Sequence, residues 1–106
     1  MVFVETSLFT KLLGEYLGDE DYRALQNHLI VQPGSGAIIT GSGGVRKIRW
    51  PSGGKGKSGG VRVIYYWAAA VDQIFMLTLY GKSQKEDLSS ADLRTILRML
   101  TEMGYG

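Results

Sequence analysis

Apolar residues recur at helical spacing in three parts of the chain, and this pattern predicts three helices. The first helix lies near the N-terminus, where the side chain of Thr6 or Ser7 can cap it. Gly18 separates this helix from the second, which Asp19 can cap and Pro33 ends. The third helix is C-terminal and begins at the S-x-x-D capping box of residues 89–92.

Apolar runs rich in β-branched and aromatic residues predict the strands. A short run opens the chain at residues 1–5. Three longer runs follow the second helix, at Val45–Trp50, Val61–Trp67 and Ile74–Tyr80. The expected order is β-α-α-β-β-β-α, which is an α+β fold with helices packed on one face of a small, mainly antiparallel sheet.

Side chains alternate between the two faces of a strand, so their parity predicts which residues act together. In the third long run, the alternation sets Phe75, Leu77 and Leu79 on the side opposite Tyr80. The polar residues that alternation can bring to one shared patch are Lys47, Arg49, Arg62, Tyr80 and Lys82.

Positive charge is concentrated in one segment, although the net charge is only +2. Residues 41–66 contain six of the twelve Lys and Arg residues and none of the ten Asp and Glu residues. A basic strand surface beside a Gly-Lys loop is typical of proteins that bind a phosphodiester backbone, and the alternative is a solvated basic face. The residues predicted to contact such a nucleic acid outside the shared patch are Arg46, Lys55, Lys57 and Tyr66.

Length and composition limit the possible functions. A chain of 106 residues is expected to form a single domain, residues 1–106. Without cysteine and with one histidine, it lacks the ligands of a usual zinc site and the nucleophile of thiol catalysis. The N-terminus lacks the pattern of a secretion signal, so we expect a cytoplasmic protein. Residues 51–58 approach a nucleotide-binding loop, but Pro51 replaces its first glycine and a strand follows, which disfavours nucleotide hydrolysis.

Three motifs in combination resemble the HigB-type branch of the RelE toxin superfamily over roughly residues 2–103. They are G-x-R-K-x-R at 44–49, G-K-G-K-x-G-G-x-R-x-I-Y-Y at 54–66 and Y-G-K at 80–82. The resemblance implies the toxin of a toxin–antitoxin pair, which cuts mRNA in the ribosomal A site without a metal or other cofactor. The partners it implies are a cognate antitoxin of the helix-turn-helix type, the ribosome and mRNA. Operator DNA would be reached only through the antitoxin, and no membrane is involved.

The resemblance also implies roles for individual residues. Lys47 and Arg49 match the alternating basic pair of the RelE pattern, Arg62 matches its strand arginine, and Lys82 lies in its G-K motif. The chain departs from the pattern at residues 83–88. Ser83 and Gln84 stand where RelE has a further arginine, and the tyrosine of RelE has no counterpart at 86–88, so we expect Tyr80 to replace it.

Metal-free RNA cleavage requires a base for the 2′-hydroxyl, cations for the phosphorane and an acid for the leaving oxygen. We expect Lys47 or Lys82 to be the base, because neighbouring cations lower the pKa of a lysine. Arg49 and Arg62 are the expected phosphate clamp, and Tyr80 a stacking or proton-transfer group. Lys55 and Lys57 are expected to grip ribosomal RNA.

Two alternative functions remain compatible with the sequence. One is a ParE-like, non-enzymatic inhibitor of DNA gyrase, which shares the fold and needs no basic cluster on the sheet. The other is a catalytically inactive RNA-binding relative, suggested by the departures at residues 83–88. Glu86 and Asp87 are further candidate acids, but charge compensation at the N-terminus of the last helix explains them equally well.

Overall fold

The computed structural model describes residues 1–52, 60–82, 85 and 87–105. In these ranges the chain forms five strands and three α-helices, which confirms the α+β class. No helix within them is long and apolar enough to cross a membrane. In chain order the elements are β1 (Val2–Glu5), α1 (Ser7–Tyr16), α2 (Asp19–Val31), β2 (Ala37–Ile38), β3 (Val45–Trp50), β4 (Val61–Ala68), β5 (Gln73–Gly81) and α3 (Ser90–Glu102).

The strands form one sheet in the order β1-β5-β4-β3-β2. β1 runs parallel to β5, and the other neighbouring pairs are antiparallel. The sequence pattern did not predict β2, in which Ala37 and Ile38 pair with Lys47 and Arg46. Two residues are too few to show an alternation, so this strand is recognisable only by its pairing with β3.

Helices cover both faces of the sheet, and the expectation of a single covered face is therefore wrong. On the back face, α1 and α2 pack against the strands, with Phe9 and Leu25 in one buried cluster with Val63 and Tyr65. On the front face, α3 packs through residues such as Ile96, which shares a second buried cluster with β4 and β5. α3 thus covers the apolar part of the front face, which also carries polar residues.

A bulge in β5 reverses the alternation of that strand. Ile64 of β4 lies opposite Thr78, whereas the next residue, Tyr65, lies opposite Met76, so Leu77 is an extra residue. Phe75 and Leu77 consequently belong to the front-face cluster together with Tyr80, while Leu79 belongs to the back-face cluster. The prediction that grouped Phe75 and Leu77 with Leu79 is wrong because one inserted residue exchanges the two faces.

Helix starts follow the predicted caps in two of three cases. Thr6 caps α1, where its hydroxyl accepts a hydrogen bond from the Phe9 backbone N–H at 3.0 Å. The capping box of Ser89 and Asp92 begins α3 as predicted. The N-cap of α2 is Gly18 rather than Asp19, so Asp19 lies inside the first turn and its charge compensates the helix dipole instead.

Gly60 fixes the start of β4 beside the end of β3. Its φ of +73° lies in the left-handed region, and a Cβ atom there would stand 2.6 Å from the backbone oxygen of Trp50. Both constraints exclude a side chain at this position. The chain therefore enters β4 in the register that sets Arg62 opposite Arg49.

Tyr65 ties the connection between α2 and β2 to the back face. The side chain is fully buried, its hydroxyl donates to the Pro33 carbonyl at 2.8 Å, and it accepts from the Gly36 N–H at 2.9 Å. We expect Tyr65→Phe to lower the free energy of unfolding by about 1–3 kcal/mol, because both backbone groups lose their partner. Urea denaturation measures this change, and an unaltered midpoint would contradict it.

Candidate functional site

Three polar side chains lie side by side across the front face. Arg49 of β3 is paired directly with Arg62 of β4, and Arg62 is paired directly with Tyr80 of β5. Residues opposite one another in antiparallel strands have Cβ atoms about 5 Å apart. We call Arg49, Arg62 and Tyr80 the cross-strand row. It runs from the exposed Arg49 to Arg62 and Tyr80, each only 4 % exposed.

Lys47 lies beside the cross-strand row, two residues before Arg49 on the same face of β3. Its ammonium group is 2.5 Å from Oδ1 of Asp87, the third residue before α3. A hydrogen bond from Lys47 and the Lys47 charge lower the pKa of Asp87, and the charges of Arg49 and Arg62 lower it further. Asp87 is therefore an ionised carboxylate that interacts with all three cations.

The hydroxyl of Tyr80 is buried and has no hydrogen-bond partner among the described residues. Burial raises the pKa of Tyr80, Asp87 raises it further, and Arg62 acts in the opposite direction. The phenol thus keeps its proton at neutral pH and can donate it. A buried hydroxyl without a partner carries a desolvation cost of about 1–3 kcal/mol, which a bound ligand would relieve.

A cleft of about 470 Å³ lies beside the cross-strand row. Lys47 and Tyr80 line it together with Asp87, and its walls are formed by the β2–β3 region and the start of α3. A second cleft, of about 290 Å³, lies on the other side of Tyr80. There, Lys85 is 5.1 Å from the centre of the Tyr80 ring and forms an ion pair of 2.8 Å with Asp92.

Lys82 lies at the same end of the sheet as Tyr80. It is exposed, follows the last residue of β5, and its backbone N–H donates to the Gly60 carbonyl at 3.5 Å. The structure thus brings four of the five predicted catalytic residues together on the front face and sets Lys82 at the margin of that group.

The other predicted RNA-contacting residues do not join the cross-strand row. Arg46 serves the back face, where its Nη1 donates to the carbonyls of Gly34 at 2.9 Å and Gly36 at 2.8 Å. Tyr66 is on the front face but near the far end of β4, where its ring lies 5.7 Å from that of Tyr105. Lys55 and Lys57 lie outside the described residues, as do Ser83, Gln84 and Glu86.

These contacts give Arg46 a structural role. We expect Arg46→Met to lower the free energy of unfolding by about 1–3 kcal/mol, because two charge-assisted hydrogen bonds to the α2–β2 connection are lost. The sequence predicts RNA cleavage, and we expect that activity in the folded variant to stay within about twofold of its level in the native chain. Urea denaturation and a cleavage assay on the same preparation test both statements, and a large loss of cleavage with native stability would contradict them.

Asp87 is the site residue whose contact the sequence could not identify. Forty residues separate it from Lys47, and no strand pattern includes it. The available signal was an acid next to a capping box, which a helix N-terminus explains without any further contact. The packing of α3 on the front face, which alternation alone did not reveal, is what brings Asp87 to Lys47.

Comparison with known proteins points to one family. The family model described as the RelE toxin of the RelE / RelB toxin-antitoxin system matches residues 34–104, which include the cross-strand row, Lys47 and Asp87. Among solved structures, a double arginine-to-alanine mutant of E. coli toxin RelE in the free state superposes with a TM-score of 0.58. The two chains are 15% identical, and the match covers 92% of this chain and 94% of that chain. At this identity, the structural likeness concerns the fold.

Proposed function

The chain belongs to the RelE toxin family, the toxins of toxin–antitoxin pairs, and we propose that it is a ribosome-dependent endoribonuclease. In this proposal it cleaves mRNA in the ribosomal A site without a metal and is neutralised by a cognate antitoxin. The observation that supports it best is the cross-strand row, in which two arginines lie beside a tyrosine whose hydroxyl has no hydrogen-bond partner among the described residues. That tyrosine and Lys47 line the same open cleft.

The proposed reaction is an attack of the 2′-oxygen on the adjacent phosphorus. The bond from phosphorus to the 2′-oxygen forms and the bond to the 5′-oxygen breaks, which leaves a 2′,3′-cyclic phosphate and a 5′-hydroxyl. The pentavalent intermediate gains negative charge, which Arg49 and Arg62 neutralise. A guanidinium suits this role because its planar fork donates to two phosphate oxygens and never loses its charge. Arg62 is buried, so its attraction to phosphate is screened less by water.

Tyr80 is the proposed proton donor for the leaving 5′-oxygen. Its ring is packed in the front-face cluster, and its buried hydroxyl has no partner among the described residues, so we propose that bound RNA supplies the acceptor. Asp87 does not fit this role, because a carboxylate with a lowered pKa is ionised at neutral pH. Lys47 and Lys82 remain the candidate bases. Lys47 forms an ion pair with Asp87 and lines the cleft as a cation, so in this proposal Lys47 binds the phosphate and Lys82 is the base.

The family implies a cognate antitoxin, and the finer statements about partners are proposals that rest on the resemblance to the HigB-type branch. We propose an antitoxin of the helix-turn-helix type, with operator DNA bound only through it, and assign the chain to that branch on its three motifs in combination, among them G-K-G-K-x-G-G. Lys55 and Lys57 of that motif are proposed to contact ribosomal RNA, where their loss would weaken binding and reduce its salt dependence.

Induction in growing cells tests the proposed target. Labelled amino acids and labelled thymidine, added together, report which synthesis stops first. We expect protein synthesis to stop within minutes while DNA synthesis continues. An early stop of DNA synthesis with an SOS response would indicate gyrase inhibition of the ParE type instead. If neither stops, the chain is an RNA-binding relative without catalytic activity.

A further inference from the structure

The Lys47–Asp87 ion pair lies where the proposed function requires a phosphate to bind. We propose that the Asp87 carboxylate occupies this anion position in the free protein and that the RNA phosphate must displace it. Asp87 is then a specificity-determining residue. A ligand must break the Lys47–Asp87 ion pair in order to bind, so only a ligand that forms several new contacts binds well. This inference rests on the proposed endoribonuclease function.

The geometry supports this substitution of one anion for another. A carboxylate and a phosphate both offer paired oxygens that accept charge-assisted hydrogen bonds from the same donors. The Lys47 ammonium, 2.5 Å from Oδ1, already donates such a bond to Asp87. Asp87 also interacts with the charges of Arg49 and Arg62, so the cations around it are those proposed to hold the phosphate.

The exposure of the Lys47–Asp87 ion pair allows another anion to displace Asp87. The Asp87 side chain is 73 % exposed, and Lys47 is the partner that the described residues provide for it. An exposed ion pair of this kind contributes little stability and can exchange readily with another anion. Lys47, at 25 % exposure, is the more fixed partner and keeps its place at the cleft when Asp87 turns away.

Selectivity follows from the number of contacts on each side of the exchange. A single small anion replaces the Asp87 carboxylate on Lys47 and forms few contacts beyond the one that is lost, so it gains little binding free energy. An RNA chain replaces the carboxylate and also reaches Arg49, Arg62 and the Tyr80 hydroxyl, for which the described residues provide no hydrogen-bond partner. Asp87 therefore disfavours free anions more than it disfavours RNA held across the cross-strand row.

A binding experiment with a matched control tests the proposal. The probe is a single-stranded RNA hexamer made uncleavable by 2′-deoxy substitution, titrated by NMR against the native chain, Asp87→Asn and Asp72→Asn. Asp72 is the control because it is also exposed, at 70 %, and also ion-paired, at 3.0 Å to the N-terminal amine. It precedes β5, about 25 Å along the strand from Tyr80.

We expect Asp87→Asn to bind the hexamer about fivefold more tightly than Asp72→Asn at low salt. We also expect a steeper dependence on salt, because Lys47 then contributes its full charge. In a Lys47→Met background, the advantage of Asp87→Asn over Asp72→Asn should vanish. In single-turnover cleavage on ribosomes, Asp87→Asn should reach its half-maximal rate at a lower protein concentration than Asp72→Asn.

Two results would overturn the inference while leaving the proposed function intact. One is equal affinity of Asp87→Asn and Asp72→Asn for a hexamer that shifts the signals of the cross-strand row. The other is an advantage that persists without Lys47, which would show a general charge effect. If the hexamer shifts no front-face signal in any variant and no mRNA is cut, the proposed function itself fails.

Discussion

Arg62→Met is expected to lower the rate of mRNA cleavage by about 100- to 1,000-fold. Arg62 is the central member of the cross-strand row and is 4 % exposed. In the variant, neither solvent nor a mobile side chain can readily replace the lost guanidinium at this buried position. Loss of one preorganised donor to a developing oxyanion costs about that factor in other enzymes. Arg62→Lys keeps the charge but loses the planar fork, and we expect it to restore only a small part of the rate.

The measurement is a single-turnover cleavage assay on programmed ribosomes, with the circular dichroism spectrum and urea midpoint of each variant as controls for folding. Arg46→Met is the matched control: the same substitution in the neighbouring strand, on the opposite face. It should lose stability and keep its activity, whereas the Arg62 variants should lose activity. Native cleavage rates in a folded Arg62→Met or Arg62→Lys variant would contradict the proposed clamp.

Tyr80→Phe is expected to lower cleavage by about 100-fold without lowering the stability of the chain. The substitution removes a hydroxyl that is buried without a hydrogen-bond partner among the described residues. Because no described residue compensates its desolvation with a hydrogen bond, its removal should leave the free energy of unfolding unchanged or raise it by about 1 kcal/mol. Loss of a positioned proton donor costs about 100-fold or more in rate.

Tyr65→Phe is expected to give the opposite result in the measurements of stability and cleavage. That hydroxyl has two backbone partners on the back face, so its removal should cost stability and leave cleavage nearly unchanged. In urea denaturation and single-turnover cleavage, Tyr80→Phe should therefore lose activity and keep its stability, whereas Tyr65→Phe should lose stability and keep its activity. A loss of stability in Tyr80→Phe with native activity would show that Tyr80 is a structural residue.

Alternation along the strands was sufficient to predict much of the site. β3 and β4 keep a regular register with one another from Val45 to Trp50, so Lys47, Arg49 and Arg62 were placed on one face from the sequence alone. Capping chemistry was equally informative at both ends of the chain, since Thr6 and the box at Ser89 begin helices as predicted. These features are local, and local features can be identified in a sequence.

The remaining features depend on tertiary structure. Nothing in the sequence shows which residue of β5 is the extra one, because the bulge exists only relative to β4. The position of α3 on the front face, and with it the contact of Asp87 with Lys47, depends on how the chain crosses from β5. Arg46 has the same charge as Lys47 and Arg49 but lies on the opposite face of β3, and its bonds to Gly34 and Gly36, which the sequence does not show, give it a structural role.

The site also shows where local rules of stability are not followed. Arg62 is a nearly buried cation directly opposite a second arginine, and the Tyr80 hydroxyl, in an apolar cluster, has no hydrogen-bond partner among the described residues. Burial of a guanidinium and of such a hydroxyl carries a desolvation cost in the free protein. Such departures are expected where a site is preorganised for a charged ligand, and the two lie next to each other at one end of the sheet.

Primer extension on a defined mRNA in a purified translation system tests the central claim most directly. The native chain and Arg62→Met are compared side by side, with ribosomes present or withheld. We predict cuts inside codons by the native chain only when ribosomes are present, and at least a 100-fold weaker signal from Arg62→Met. Equal cutting by both proteins, cutting without ribosomes, or no cutting by the native chain would contradict a ribosome-dependent endoribonuclease that acts through the cross-strand row.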